Sequence, residues 1–186
     1  GSIKGIVPKS ILPNYNEFYE QRWFTPGIDC KEQKIEICSE TVSFGVDLLF
    51  IFDDTIQAKF GIEICEDLWS FHPPSTNLSL AGADIILNPS ASNLVLGKHE
   101  YRKSLICNQS AKCLNAYVYI SSGYGESTTD TVYSGYGVIV ESGTILSEAN
   151  LKVDEEEILI SEIDIGRLRA DRYRNSSYKL QKSLIK

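Results

Sequence analysis

Gly61-Ile62-Glu63-Ile64-Cys65-Glu66-Asp67-Leu68-Trp69 joins two patterns in one short run. An apolar strand delivers Cys65 to a break, and the acidic pair that follows suits the first turn of a helix. A thiol at that break faces turn amides, which stabilise a thiolate and offer an oxyanion hole. This is the layout of a nucleophile elbow, without its Gly-x-Ser-x-Gly signature. The alternative is a buried cysteine acting as a small hydrophobe.

Outward from Cys65, short β-rich runs alternate with one long helical one. Val46–Phe52 reads as a strand closed by the turn Asp53-Asp54, and Ile56–Ile64 returns as its hairpin partner. Ala83–Asn88 is a buried strand that Pro89 should close. Lys98–Asn115 holds no Gly or Pro and predicts a helix, followed at once by a strand over Ala116–Ile120. Gly135–Val140 and Thr144–Leu146 flank Glu141-Ser142-Gly143 as a second hairpin. Glu156–Ile163 alternates like a last strand, and Ile165 to about Arg174 predicts a helix. Ile3–Val7 looks like an interior strand running into Pro8, which leads to the expectation that further strands precede it. The pattern is that of an α/β layered architecture with a mixed sheet, one domain over 1–174, with 175–186 as a linker or arm.

Composition narrows the function classes. The 186 residues are 42% hydrophobic and 23% charged, enough for a packed core. Eighteen Lys and Arg against 25 Asp and Glu give a net charge of −7, which argues against a nucleic-acid binder. No apolar run reaches the roughly 20 residues of a bilayer span, and no signal segment opens the chain. The cysteine count is 5, without Cys-x-x-Cys, which fits free thiols in a reducing cytoplasm. With two histidines, and Cys107 and Cys113 on no shared helix face, no metal site is expected. Gly1-Ser2 reads as a tag remnant.

A cysteine nucleophile needs activation, and neither His72 nor His99 lies in a protease-like context. Lys9 is the other candidate. Pro8 and Pro13 bracket a stiff segment that could fix its ammonium, and a fixed Lys stabilises both thiolate and oxyanion. The alternative is a solvated surface lysine.

Val7-Pro8-Lys9-Ser10-Ile11-Leu12-Pro13-Asn14-Tyr15-Asn16-Glu17-Phe18-Tyr19-Glu20 resembles the lysine segment of the nitrilase superfamily, more narrowly that of the glutaminase domains of glutamine-dependent NAD synthetases. The Cys65 segment resembles that family's nucleophile segment. Leu87–Ser92 with Gly97-Lys98 and Arg102, the run Ser121–Gly125 and the Gly135–Leu146 hairpin fit as well. The resemblance implies an αββα sandwich, present here only in part because its first strands and helices are missing. It implies Cys65 as nucleophile, Lys9 as its cation, and Glu17 as the glutamate near the lysine. Tyr15, Ser92 and Lys98 would contact glutamine, and Glu66 and Trp69 would line the pocket. Lys98 is often Arg in such sequences, and Lys lacks the planar fork. The family's first glutamate, the general base, lies upstream of the lysine segment, and residues 1–8 hold no acid. No Ser-Gly-Gly-x-Asp-Ser-like loop occurs, so ATP and magnesium are expected in a synthetase domain outside this chain. The chain is expected to be inactive alone and to work with that domain. Its tyrosines and the association habit of nitrilase-like domains suggest a homo-oligomer. A nitrilase-like amidase or carbamoylase, or an inert assembly module, remain the alternatives.

Overall fold

The computed structural model describes residues 1–150 and 156–184. A small antiparallel pair, β1 (Lys34–Ile37) and β2 (Glu40–Ser43), precedes a six-stranded sheet. The sheet follows chain order through β3 (Leu49–Ile51), β4 (Lys59–Ile62), β5 (Ile85–Ser90), β6 (Ala116–Ser121), β7 (Gly137–Glu141) and β8 (Thr144–Glu148). β4, β5 and β6 run parallel, β3 and β7 flank them antiparallel, and β8 pairs antiparallel with β7 at the edge.

Parallel neighbours need crossovers, and two helices supply them. α1 (Pro74–Ala81) links β4 to β5, and α2 (Lys98–Cys113) links β5 to β6. Both pack on one face, where Leu78 and Ile106 close over Ile86, Tyr117, Val138 and Val140. Gly61 permits this closure, because a Cβ there would lie 2.9 Å from Leu78 Cδ1. The opposite face is covered at one end by α3 (Ile165–Arg174), whose Ile165 and Leu168 pack on Ala58 and Ala116. Buried Asp84 accepts from Arg169 and Arg172 and anchors that helix. Elsewhere this face is only partly covered by the described residues, with Ile120 63% exposed.

Several expectations change. Ile3–Val7 is no interior strand: Ile6 alone forms a bridge, to Phe44 beside the small sheet. Glu156–Ile163 forms no strand in its described residues. Leu159 lies against Gly137 and Ile163 joins the α3 cluster, so the alternation records which side chains face the sheet rather than main-chain pairing. β5 runs through Pro89 to Ser90. The strand expected over Val46–Phe52 shortens to β3. α1 was not foreseen, although Pro74 at its first turn and Gly82 in the left-handed region beyond its end are ordinary helix punctuation. Residues 176–182 form a further helix, α4 (Ser176–Lys182), capped by the Asn175 side chain.

Candidate active site

β4 ends at Ile62, and the chain passes through Glu63-Ile64 to Cys65, the first residue of a 3-10 turn over Cys65–Trp69. Cys65 sits at φ +50°, a left-handed conformation that costs a residue with a β-carbon roughly 1 kcal/mol or more. Its N–H donates to Asn88 Oδ1 at 3.1 Å. The strand, strained residue and helical turn make an elbow that presents Cys65 to a cavity.

Asp67, fully buried, joins this elbow to the lysine segment. Its carboxylate accepts from Ile64 N–H at 2.9 Å on the elbow, and from Ile11 N–H at 2.8 Å and Ser10 N–H at 3.2 Å beside Lys9. Burial pushes its pKa above the usual carboxylate range, with the three amides and Lys9 opposing. Gly27 N–H donates to Lys9 O at 2.7 Å and fixes the segment from the other side. Lys9 Nζ pairs with Glu20 at 2.5 Å. The lysine's carboxylate partner is therefore Glu20 and not Glu17, whose Oε1 accepts from Asn93 Nδ2 instead.

The cavity holds about 500 Å³. Tyr15, Glu17 and Phe18 line one side, Cys65, Glu66 and Trp69 the elbow side, and Ser92, Asn93 and Lys98 the far side. Tyr15 OH donates to Glu66 Oε1 at 2.7 Å. Burial raises the Glu66 pKa, against Tyr15, Lys9 and Lys98. Lys98 Nζ donates to Asn93 Oδ1 and lies 5.1 Å over the Trp69 ring. Burial depresses its pKa. Ser92 is 2% exposed, and its Oγ has no hydrogen-bond partner among the described residues. Seven of the eight residues singled out from sequence thus share one cavity, and the eighth, Lys9, is not among its lining residues but belongs to the segment that Asp67 ties to the elbow. A thiol, a cation, a carboxylate and aromatic walls around one space suit nucleophilic attack on a small zwitterion. Sequence reasoning missed Asp67, Glu20, Asn88 and Asn93, which tie the site together through Ile11, Lys9, Cys65 and Glu17, partners 11 to 76 positions away. Only the acidic residues themselves were visible.

The sequence is 40% identical over 178 residues to the glutamine-dependent NAD(+) synthetase of Mycobacterium tuberculosis, an alignment covering 96% of this chain and 26% of that protein. The chain therefore spans about a quarter of the length of the curated relatives it matches. Among solved structures, a glutamine-dependent NAD(+) synthetase from Cytophaga hutchinsonii superposes with a TM-score of 0.66 at 31% identity, over 78% of this chain and 22% of that one. A carbon-nitrogen hydrolase from Helicobacter pylori gives 0.64 at 22% identity over 96% and 60%, a likeness of fold that matches the nitrilase-like α/β architecture expected from sequence. The carbon-nitrogen hydrolase pattern runs over residues 1–173, and this chain belongs to the carbon-nitrogen hydrolase family.

Proposed function

We propose that this chain is the glutamine-hydrolysing part of a glutamine-dependent NAD synthetase. The observation that carries the reading is the Asp67 clamp, which seats the Lys9 segment on the Cys65 elbow, whose thiol lines one cavity with Tyr15, Glu17, Ser92 and Lys98. Similarity to the synthetases supports the choice of glutamine. Lys98 suits the α-carboxylate, Glu66 the α-ammonium, and Tyr15, Ser92 and Trp69 the rest of the molecule.

The Cys65 sulfur attacks the side-chain amide carbon. A C–S bond forms, the oxyanion is stabilised by Lys9, the C–N bond breaks, and ammonia leaves with the thiol's proton. Water then cleaves the thioester, giving glutamate and the free thiol. The carboxylates around Cys65 are already engaged: Glu66 with Tyr15, Glu17 with Asn93, Glu20 with Lys9 and Asp67 with three amides. By the family resemblance, the base that moves these protons is a glutamate upstream of the Lys9 segment. The ammonia would pass to a synthetase domain that uses ATP and magnesium to amidate nicotinate adenine dinucleotide, in a self-associating protein.

The test is peptide mapping after treatment with a diazoketone glutamine analogue, in the full-length polypeptide that carries this segment. The adduct is expected on Cys65, and an adduct on Cys30 or Cys107 with none on Cys65 overturns the reading. The 186 residues alone should release no ammonia from glutamine. Turnover near the full-length rate would place the base within them.

A further inference from the structure

A line of buried polar groups runs from the cysteine elbow into the core. Cys65 N–H donates to Asn88 Oδ1 at 3.1 Å, and Ser90 Oγ donates to the same oxygen at 2.7 Å. Asn88 Nδ2 donates to Tyr117 OH at 2.8 Å, and Tyr117 OH donates to Glu63 Oε1. The second Glu63 oxygen accepts from Ser75 N–H at 2.7 Å, the first turn of α1. Glu63, Asn88 and Tyr117 are each at most 1% exposed. The donors of Cys65, Asn88 and Tyr117 all point the same way, from the Cys65 backbone toward the Glu63 carboxylate. The mechanism above uses none of these three side chains.

We propose that the Glu63–Tyr117–Asn88 line is a positioning device for Cys65, its polarity holding the strained elbow so that the thiol faces the cavity. The proposal takes Cys65 as the nucleophile. The peptide before Cys65 has to be pinned because its φ of +50° is not where a cysteine relaxes. Asn88 does the pinning, and its amide can face that way only while Tyr117 accepts from its Nδ2. Tyr117 accepts there while its own proton goes to Glu63.

An ionised Glu63 meets this requirement, because both of its oxygens accept. Protonation gives Glu63 a donor aimed at Tyr117, whose hydroxyl must then turn, and the line loses its common direction. Burial pushes the Glu63 pKa up to about 7, against the Tyr117 and Ser75 hydrogen bonds. The charged or titratable groups facing it are Asp67 on the elbow, Tyr117 on β6 and Cys113 on α2.

Carbamidomethylation by iodoacetamide, resolved by peptide mapping in the full-length polypeptide, tests the line without using glutamine. Exposed Cys38 is the internal standard and buried Cys113 reports the fold. Tyr117→Phe, which deletes one oxygen, and isosteric Glu63→Gln should each slow Cys65 about tenfold at pH 8, leaving the Cys38 rate unchanged and Cys113 protected. Between pH 8 and pH 6 the wild-type rate should fall more steeply than that of Glu63→Gln, because two protonations act instead of one, and the two rates should converge. Equal Cys65 rates overturn the proposal. So does a wild-type to variant ratio that stays constant with pH, or exposure of Cys113 in both variants, since either reduces the line to core support. A wild-type Cys65 that reacts normally with iodoacetamide but takes no diazoketone counts against glutamine alone.

Discussion

The cysteine elbow and the lysine segment meet at one carboxylate, yet they are built in opposite ways. The elbow grows out of regular structure: β4 leads in, a 3-10 turn leads out, and β5 supplies Asn88 to pin the strained residue. The lysine segment has no regular structure around Lys9. Its position is borrowed from Asp67 on one side, Gly27 on another and Glu20 at the ammonium. A sheet end tolerates changes in its surroundings, whereas a borrowed position fails when any lender moves. The lysine should therefore be the more easily displaced of the two groups.

Asp67→Ala breaks both regions at once. It orphans three buried or half-buried amides, and each unsatisfied buried donor costs about 1–3 kcal/mol. A loss of at least about 3 kcal/mol in chemical denaturation is expected, with loss of diazoketone labelling at Cys65. Labelling at the wild-type rate would mean that the clamp does not set the site.

Lys9→Ala removes one partner and leaves the elbow standing. In the full-length polypeptide, glutamine-dependent synthesis should fall about 10²–10³-fold, the usual cost of one oxyanion donor, while synthesis from free ammonia is spared. Equal loss of both would point to a folding fault.

Gly27→Ala disturbs the lysine without touching it. A Cβ at Gly27 would sit 2.7 Å from Lys9 O and 3.0 Å from Pro8 Cγ, so the backbone beside Lys9 has to shift. Misplacement by about 1 Å costs up to roughly 10²-fold, and about tenfold is expected here in glutamine-dependent rate. Iodoacetamide labelling of Cys65 should fall far less than the glutamine-dependent rate, which is the signature of a displaced lysine beside an intact elbow.

The same contrast explains what could be read from the sequence. Cys65 was legible because a strand, a break and an acidic turn are consecutive residues. The α2 helix and the strands around it were legible for the same local reason. The resemblance of the flanking segments supplied Lys9 and Tyr15. The choice between Glu17 and Glu20 was not legible, because an irregular loop has no period to say which carboxylate returns to Lys9, eleven residues away. Asp67 and the Glu63–Tyr117 contact bridge 57 and 54 positions, and such pairings leave no trace in a local pattern. The β1–β2 hairpin turns at Cys38-Ser39, both in the left-handed region, where Asn-Gly would have signalled it.

The smallest effect belongs to the second link between the two regions, Tyr15 OH to Glu66 Oε1. Unlike Asp67, this link is open to water: Tyr15 is 50% exposed. Tyr15→Phe removes one hydrogen bond, worth about 0.5–1.5 kcal/mol, so KM for glutamine should rise roughly two- to tenfold with kcat nearly unchanged. The pH dependence has a definite sign. Burial raises the Glu66 pKa, and the Tyr15 hydroxyl works against burial by stabilising the charged carboxylate. Removing the hydroxyl leaves burial less opposed, so the Glu66 pKa should climb further. The rise of KM on acidification should then begin at a higher pH in Tyr15→Phe than in wild type, because Glu66 loses its charge earlier as pH falls. A KM profile that shifts to lower pH, or a fall in kcat instead of a rise in KM, would show that Tyr15 belongs to the lysine's positioning and not to the substrate pocket.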